Sequence, residues 1–246
     1  MTVKRTEEVI SELQERIARG DFGSTGRLPT LEQLCEETGV ARETMNRAIQ
    51  LMQARGILLV RGRSLYVAPS RVRFPAMLPH FETYLKELGQ EPVSDFVEKP
   101  GFVPCPPEIA ARMNIDADTL VIRRLLRQGA MLATTPQYYR LSENFYQPQL
   151  YDASILPDIQ SSPQFDTMPV IKAKHGAYVV KTHINAIGRL PTEAERKLLK
   201  IVSTAPVLEL YRTSTANTGM VLMVNHITLN AAFFSLEYDL DVPFWK

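Results

Sequence analysis

Arg42, Glu43, Thr44, Asn46, Arg47 and Gln50 are the residues of this chain with the plainest chemical use. Guanidinium, carboxylate, hydroxyl and amide groups follow one another there, and such groups hydrogen-bond base edges in a DNA major groove or phosphate oxygens beside it. Met45, Ala48, Ile49 and Met52 are interleaved with them at spacings of three and four. Residues 42–55 are therefore expected to form a helix with one apolar stripe and the polar set opposite it. A polar outer face is also the ordinary condition of a surface helix, so the helix alone does not separate a reading face from a solvated one.

The elements around it make that separation. Thr30 and Gln33 have the spacing of a capping box, so a helix is expected to start after Thr30 and to end at Gly39. Gly56 stops the helix that begins at Arg42, and residues 57–61 and 65–68 then read as two short strands. Arg61, Gly62 and Arg63 fall in the turn between these strands. Helix, turn, helix and arginine-tipped hairpin in this order form a winged helix-turn-helix, whose tip can grip the DNA backbone and reach a minor groove. Residues 6–19 are expected to form a preceding helix that packs Val9, Ile10, Leu13 and Ile17 on the head and stops at Gly20.

Leu28-Pro29-Thr30, Leu34, Gly39-Val40, Arg42, Thr44, Ala48, Gly56 and Arg61-Gly62-Arg63 together resemble the N-terminal signature of the GntR family of bacterial transcription regulators. The resemblance covers residues 1 to about 70. It implies an operator in double-stranded DNA as partner, with Thr30, Arg42, Glu43, Thr44, Asn46, Arg47, Arg61, Gly62 and Arg63 at the contact. Glu32, Ala41, Glu43 and Asn46 depart from the family's usual Arg, Ser, Thr and Arg, which points to an altered operator sequence.

With 246 residues, 45% of them hydrophobic and 22% charged, the chain is long enough for a second domain and has an ordinary globular composition. The net charge of +1 averages two unlike parts. Residues 1–73 hold 12 Lys+Arg against 9 Asp+Glu, hence +3, and the rest holds 28 − 12 = 16 against 27 − 9 = 18, hence −2. So small an excess on one head implies that specific binding needs a homodimer. No apolar run approaches the ~20 residues of a membrane span and no signal-peptide core opens the chain, so a cytoplasmic protein with no membrane partner is expected. Cys35 and Cys105 have no disulfide or zinc spacing. No metal site, cofactor or catalytic set is expected.

The head is expected to span residues 1–69, a Pro/Arg linker 70–77, and a second domain 78–246. In the latter, helix 78–88, strand 93–98, helix 106–113 and strands 119–128 and 131–141 about a turn at Gly129 are followed by a less regular stretch, 142–174. Strand 178–187, helix 191–200 and strands 206–214 and 220–229 then repeat the first order. This reads as an internal duplication, joined into one antiparallel sheet with helices on one side. The expected class is α+β throughout.

Leu88-Gly89 with Pro92, Val121, Arg127, Tyr139, and Pro206-Val207-Leu208 with Arg212 resemble the UTRA domain. This is the effector-binding domain of HutC-subfamily regulators, chorismate-lyase-like in fold. The resemblance implies a repressor controlled by a small effector of anionic or polar character. Arg127 matches the family's anion-binding arginine, although Leu125 stands where its companion arginine is expected. Tyr139 falls at the strand-end aromatic and Phe165 replaces a tyrosine of the covering segment. Strand alternation puts Arg123 beside Arg127, and His226 on a late strand completes the expected effector set of Arg123, Arg127, Tyr139, Phe165 and His226. His183 could approach His226 across the sheet. A regulator that has lost its effector, and a lyase-like enzyme fused to a DNA-binding head, stay open as alternatives.

Overall fold

The structure is a computed structural model and describes residues 6–23, 25–61, 63–68, 74–75, 81–132 and 135–235. The head begins with α1 (Thr6–Arg19), α2 (Leu31–Thr38) and α3 (Arg42–Ala54), followed by the hairpin β1 (Leu58–Arg61) and β2 (Ser64–Val67). Val9, Ile10 and Leu13 of α1 meet Leu34 of α2 and Met45, Ala48, Ile49 and Met52 of α3 in one apolar core. Each of these side chains is withdrawn from water by the amphipathic spacing that defines its helix, and each except the small Ala48 contributes on the order of 1.5–3 kcal/mol by full burial.

The linker region lies outside the described residues apart from β3 (Phe74–Pro75), which pairs in parallel with β11 (Phe234–Ser235) near the other end of the sheet domain. Between them come α4 (Phe81–Glu87), β4 (Glu91–Phe96), β5 (Gly101–Pro104), α5 (Pro107–Met113), β6 (Leu120–Leu132) and β7 (Thr135–Tyr146). Then follow α6 (Leu156–Ser161), α7 (Met168–His175), β8 (Val179–Arg189), α8 (Glu193–Leu199), β9 (Val207–Ala216) and β10 (Val221–Asn230).

The sheet order is β4-β6-β7-β10-β9-β8, antiparallel throughout, with β5 also on β6. The duplication is visible in that order, since β4-β6-β7 and β8-β9-β10 meet head to head at the central β7·β10 pair. Each half lends its helix to the other, α5 packing on β10 and α8 on β7. Both helices occupy what we term the first face.

Three expectations need correction. Helices cover both faces: α4 buries Phe81 and Leu85 against Tyr139, Ile227 and Leu229, and α6 and α7 bury Ile159 and Ile171 against Ile122, Tyr146 and Leu222, all on the second face. The hairpin does not turn at Gly129. Both strands run on past it, with a register shift between Gln128 and Gly129. A Cβ there would lie 1.8 Å from the carbonyl oxygen of Gln137, so this glycine marks a close backbone approach inside the ladder. Residues 142–146, expected in the irregular stretch, complete β7 instead.

Candidate nucleic-acid interface and anion site

Thr30 caps α2 as its spacing implies: its side chain accepts from the Gln33 amide, and the Gln33 side chain accepts from the Thr30 amide at 2.9 Å. Gly39, left-handed, ends the helix. One residue of connection then leads to Ala41 and α3, whose start has no side-chain cap. Arg42, Glu43, Asn46, Arg47 and Gln50 are all exposed on α3, and Thr44 is half-buried at its edge. Two acids temper this face, since Glu32 of α2 lies 3.4 Å from the Arg42 guanidinium and Glu43 sits in the first turn.

The wing forms with Arg61 opposite Ser64. Arg63 is exposed, Gly62 lies outside the described residues, and so does the side chain of Arg61. Residues 26–28 run along the free edge of β2, with Leu28 donating to the Leu65 carbonyl at 2.9 Å and Val67 to that of Gly26 at 2.7 Å. Arg27, exposed, is thereby tied to the wing.

The five expected effector residues divide between the two faces of the sheet. Arg123, Arg127 and His226 lie on the first face. Arg123 is engaged by Glu98 and Glu143, while Arg127 pairs with Asp95 at 3.3 Å and lies over the Tyr138 ring. His226 sits between Glu143 at 3.2 Å and Glu209 at 2.8 Å, stacked on Tyr211. Burial alone would lower the His226 pKa, but the hydrogen bonds and charges of the two glutamates overcome it and hold the imidazole above its ordinary value. Glu209 also meets Arg189, which in turn makes two hydrogen bonds to Glu195, at 2.8 and 2.6 Å. His183 does not approach His226, because β9 separates their strands.

Tyr139 and Phe165 belong to the second face, where three arginines outside the expected effector set also lie. Arg140 is buried over the Phe81 ring, with Nε donating to Gln128 at 2.8 Å. Arg212 donates from Nε to Asn225 at 2.9 Å, Asn225 donates to Asn144, and Asn144 donates to the Arg124 carbonyl at 3.2 Å. Arg124 itself donates to the Phe165 carbonyl at 2.9 Å, and its Nε has no partner among the described residues. Among the described residues, none of the three has a carboxylate within ion-pair distance. Burial and the neighbouring Arg212 charge push Arg140 down to about 9, with Glu82 offsetting part of the shift. Burial likewise lowers Arg212. A guanidinium stays protonated at neutral pH, so this face carries desolvated positive charge with neutral hydrogen-bond partners only. The alternation of β6 held a signal, since Arg124 must face away from Arg123 and Arg127.

The second face is continuous with the head. β10 carries Asn225 and ends at Asn230, and the following turn brings Ala232 against Gly56, just beyond α3. A Cβ on Gly56, whose φ is +65°, would stand 2.9 Å from the Ala232 Cβ.

Residues 5–67 match the family described as "Bacterial regulatory proteins, gntR family". Over 218 residues the chain is 28% identical to the HTH-type transcriptional regulator Rv0792c of Mycobacterium tuberculosis, covering 86% of this chain and 75% of that one. Its fold is similar to that of PhnF from Mycobacterium smegmatis, with a TM-score of 0.58 at 19% identity over 95% of this chain and 99% of the other. The effector domain of the same PhnF aligns over 70% of this chain and all of its own length, with a TM-score of 0.56 at 14% identity.

Proposed function

We propose, from the premise that a chain with a GntR-family head on an effector-type sheet domain is a DNA-binding transcription regulator, that this one is a dimeric repressor released by a small anionic metabolite. The observation that carries the DNA half is the exposed row Arg42, Glu43, Asn46, Arg47 and Gln50 on α3, beside a wing bearing Arg63. Thr30 and Thr44 lie at the edges of this surface, and Arg61 and Gly62 complete the wing in sequence. A helix of this kind lays its N-terminal half in the major groove while the wing follows the backbone. Thr30 serves chiefly as the cap that fixes α2 against α3.

The effector half rests on Arg124, Arg140 and Arg212. An isolated buried cation is costly, and a carboxylate or phosphate seated among these guanidiniums replaces lost hydration with charge-assisted hydrogen bonds. Asn144 and Asn225 supply neutral donors and acceptors between them, and Phe165 and Tyr139 border the cluster. Because Asn225 and the turn against Gly56 belong to one strand and its exit, a shift at the cluster is transmitted to the C-terminal end of α3 along β10. The coupling needs only that the anion favour one placement of that turn.

The test is DNA binding by the full chain across salt concentrations, with and without a panel of sugar phosphates, dicarboxylates and neutral sugars. Arg47→Ala and Arg63→Ala should each weaken binding and reduce the salt slope by roughly one for every phosphate no longer neutralised. An unchanged slope in both variants would refute the DNA-facing assignment. Release by neutral sugars alone would refute an anionic effector.

A further inference from the structure

The two outermost strands of the sheet are counterparts in the internal duplication, yet their free edges differ. β4 has six residues, includes Pro92, and is half-buried from its second residue onward beside α4. Short length, proline and a covering helix are the usual protections of a sheet edge. β8 has eleven residues, no proline, and nine of them exposed. Among the described residues nothing pairs with its outer side. Its apolar groups are large and gathered at the two ends: Tyr178 is 47% exposed, Val180 57%, Ile187 48% and Leu190 65%. Lys181, Thr182, His183 and Asn185 make the middle polar.

We propose that β8 is the interface between two copies of this chain, the strands pairing antiparallel about a two-fold axis near His183–Ile184. The proposal rests on the reading of the chain as a dimeric regulator and names the surface that makes the dimer. A two-fold axis sets residues equally far before and after its centre opposite one another. Centred on His183, it places Val179 opposite Ile187 and Lys181 opposite Asn185. Centred on Ile184, it places Val180 opposite Gly188 and Lys181 opposite Ile187. Either way the Tyr178–Val180 end of one strand meets the Ile187–Leu190 end of the other, and neither Lys181 nor Arg189 faces a lysine or arginine. A parallel in-register pairing would set Lys181 on Lys181 and does not close with two-fold symmetry. β8 contains no acidic residue, so pairing with itself needs this separation of cations. The outward amide and carbonyl groups of β8 gain partners, and two seven-stranded sheets become one.

Sedimentation of the full chain at micromolar concentration tests the interface. Val180→Lys combined with Ile187→Lys places one cation at each end of β8, hence two at each end of the paired interface, without touching the core. We expect a dimer for the parent and a monomer for the double variant, with the dimer dissociation constant raised at least about 100-fold and the circular dichroism and melting unchanged. A double variant that dimerises as well as the parent overturns the interface but leaves a dimeric regulator standing. A parent that is monomeric overturns both.

A second measurement remains informative if the double variant does not fold. His183→Cys treated with a short bis-maleimide should give a covalent dimer, whereas Lys99→Cys, beside the other edge, should not. The parent, with half-buried Cys35 and buried Cys105, sets the background. Equal cross-linking from both positions, or none from His183→Cys, overturns the pairing.

Discussion

The two faces of the sheet use the same side-chain types to opposite ends. On the first face Arg123 and Arg189 each hold two carboxylates, and His226 joins Glu143 to Glu209, so one ionic chain runs across β6, β7, β10, β9 and β8. Burial alone would raise the Glu195 carboxyl, but hydrogen bonds from Arg189, the Thr192 amide and Thr228, with the Arg189 charge, together outweigh it and draw that carboxyl down to about 2. On the second face Arg140 and Arg212 are depressed instead, because burial, joined at Arg140 by the neighbouring Arg212 charge, outweighs the partial offset from Glu82 and no carboxylate pairs with either among the described residues. A saturated network maintains structure. A buried cluster lacking its counter-ions is where an external anion gains most, and this contrast, rather than the number of arginines, places the proposed effector.

The largest expected effect breaks the saturated side. Arg189→Ala leaves Glu195 and Glu209 mostly buried with their strongest partner gone. A loss of about 2–3 kcal/mol is expected, below the roughly 3–5 kcal/mol of a broken fully buried pair because Arg189 is about a quarter exposed and partly screened. Urea unfolding measures it, and a loss under about 0.5 kcal/mol would show the network to be ornamental.

Arg140→Met sharpens the other side. Removing a buried cation that has no ion-pair partner, while keeping apolar volume over Phe81, should leave unliganded stability within about 1 kcal/mol of the parent. The same change should abolish the rise in melting temperature caused by the anionic effector. Strong destabilisation without ligand would mean that Arg140 is a structural residue and that the two faces do not differ as described.

The smallest effect is a pH dependence. His226 has its folded pKa above the unfolded one, so its contribution is fully present below the unfolded value and is lost as pH rises through the folded value. Glu143 and Glu209 are both depressed and stay ionised in this window. Stability should therefore be greater near pH 6 than near pH 8, and His226→Gln should flatten the difference. An unchanged slope in that variant would assign the titration to another group.

The amino-acid sequence by itself determined the head. Capping box, glycine stops and apolar stripe act within a few residues of themselves, and α1 runs over the residues the pattern marked. It also carried the duplication, because each half repeats its own order of elements. Tertiary structure alone decided which face of the sheet each arginine occupies with what company. Arg127 finds Asp95 on a neighbouring strand, Arg140 finds Phe81 from a helix packed on the second face, and the extra β7 residue opposite Gln128–Gly129, Tyr139, shifts the alternation of β7 there. Alternation along one strand separates Arg123 from Arg124 but says nothing of what lies opposite either. The acids that neutralise one face arrive from β4, β7, β9 and α8, through pairings set by strand register and helix packing rather than by nearness in the chain.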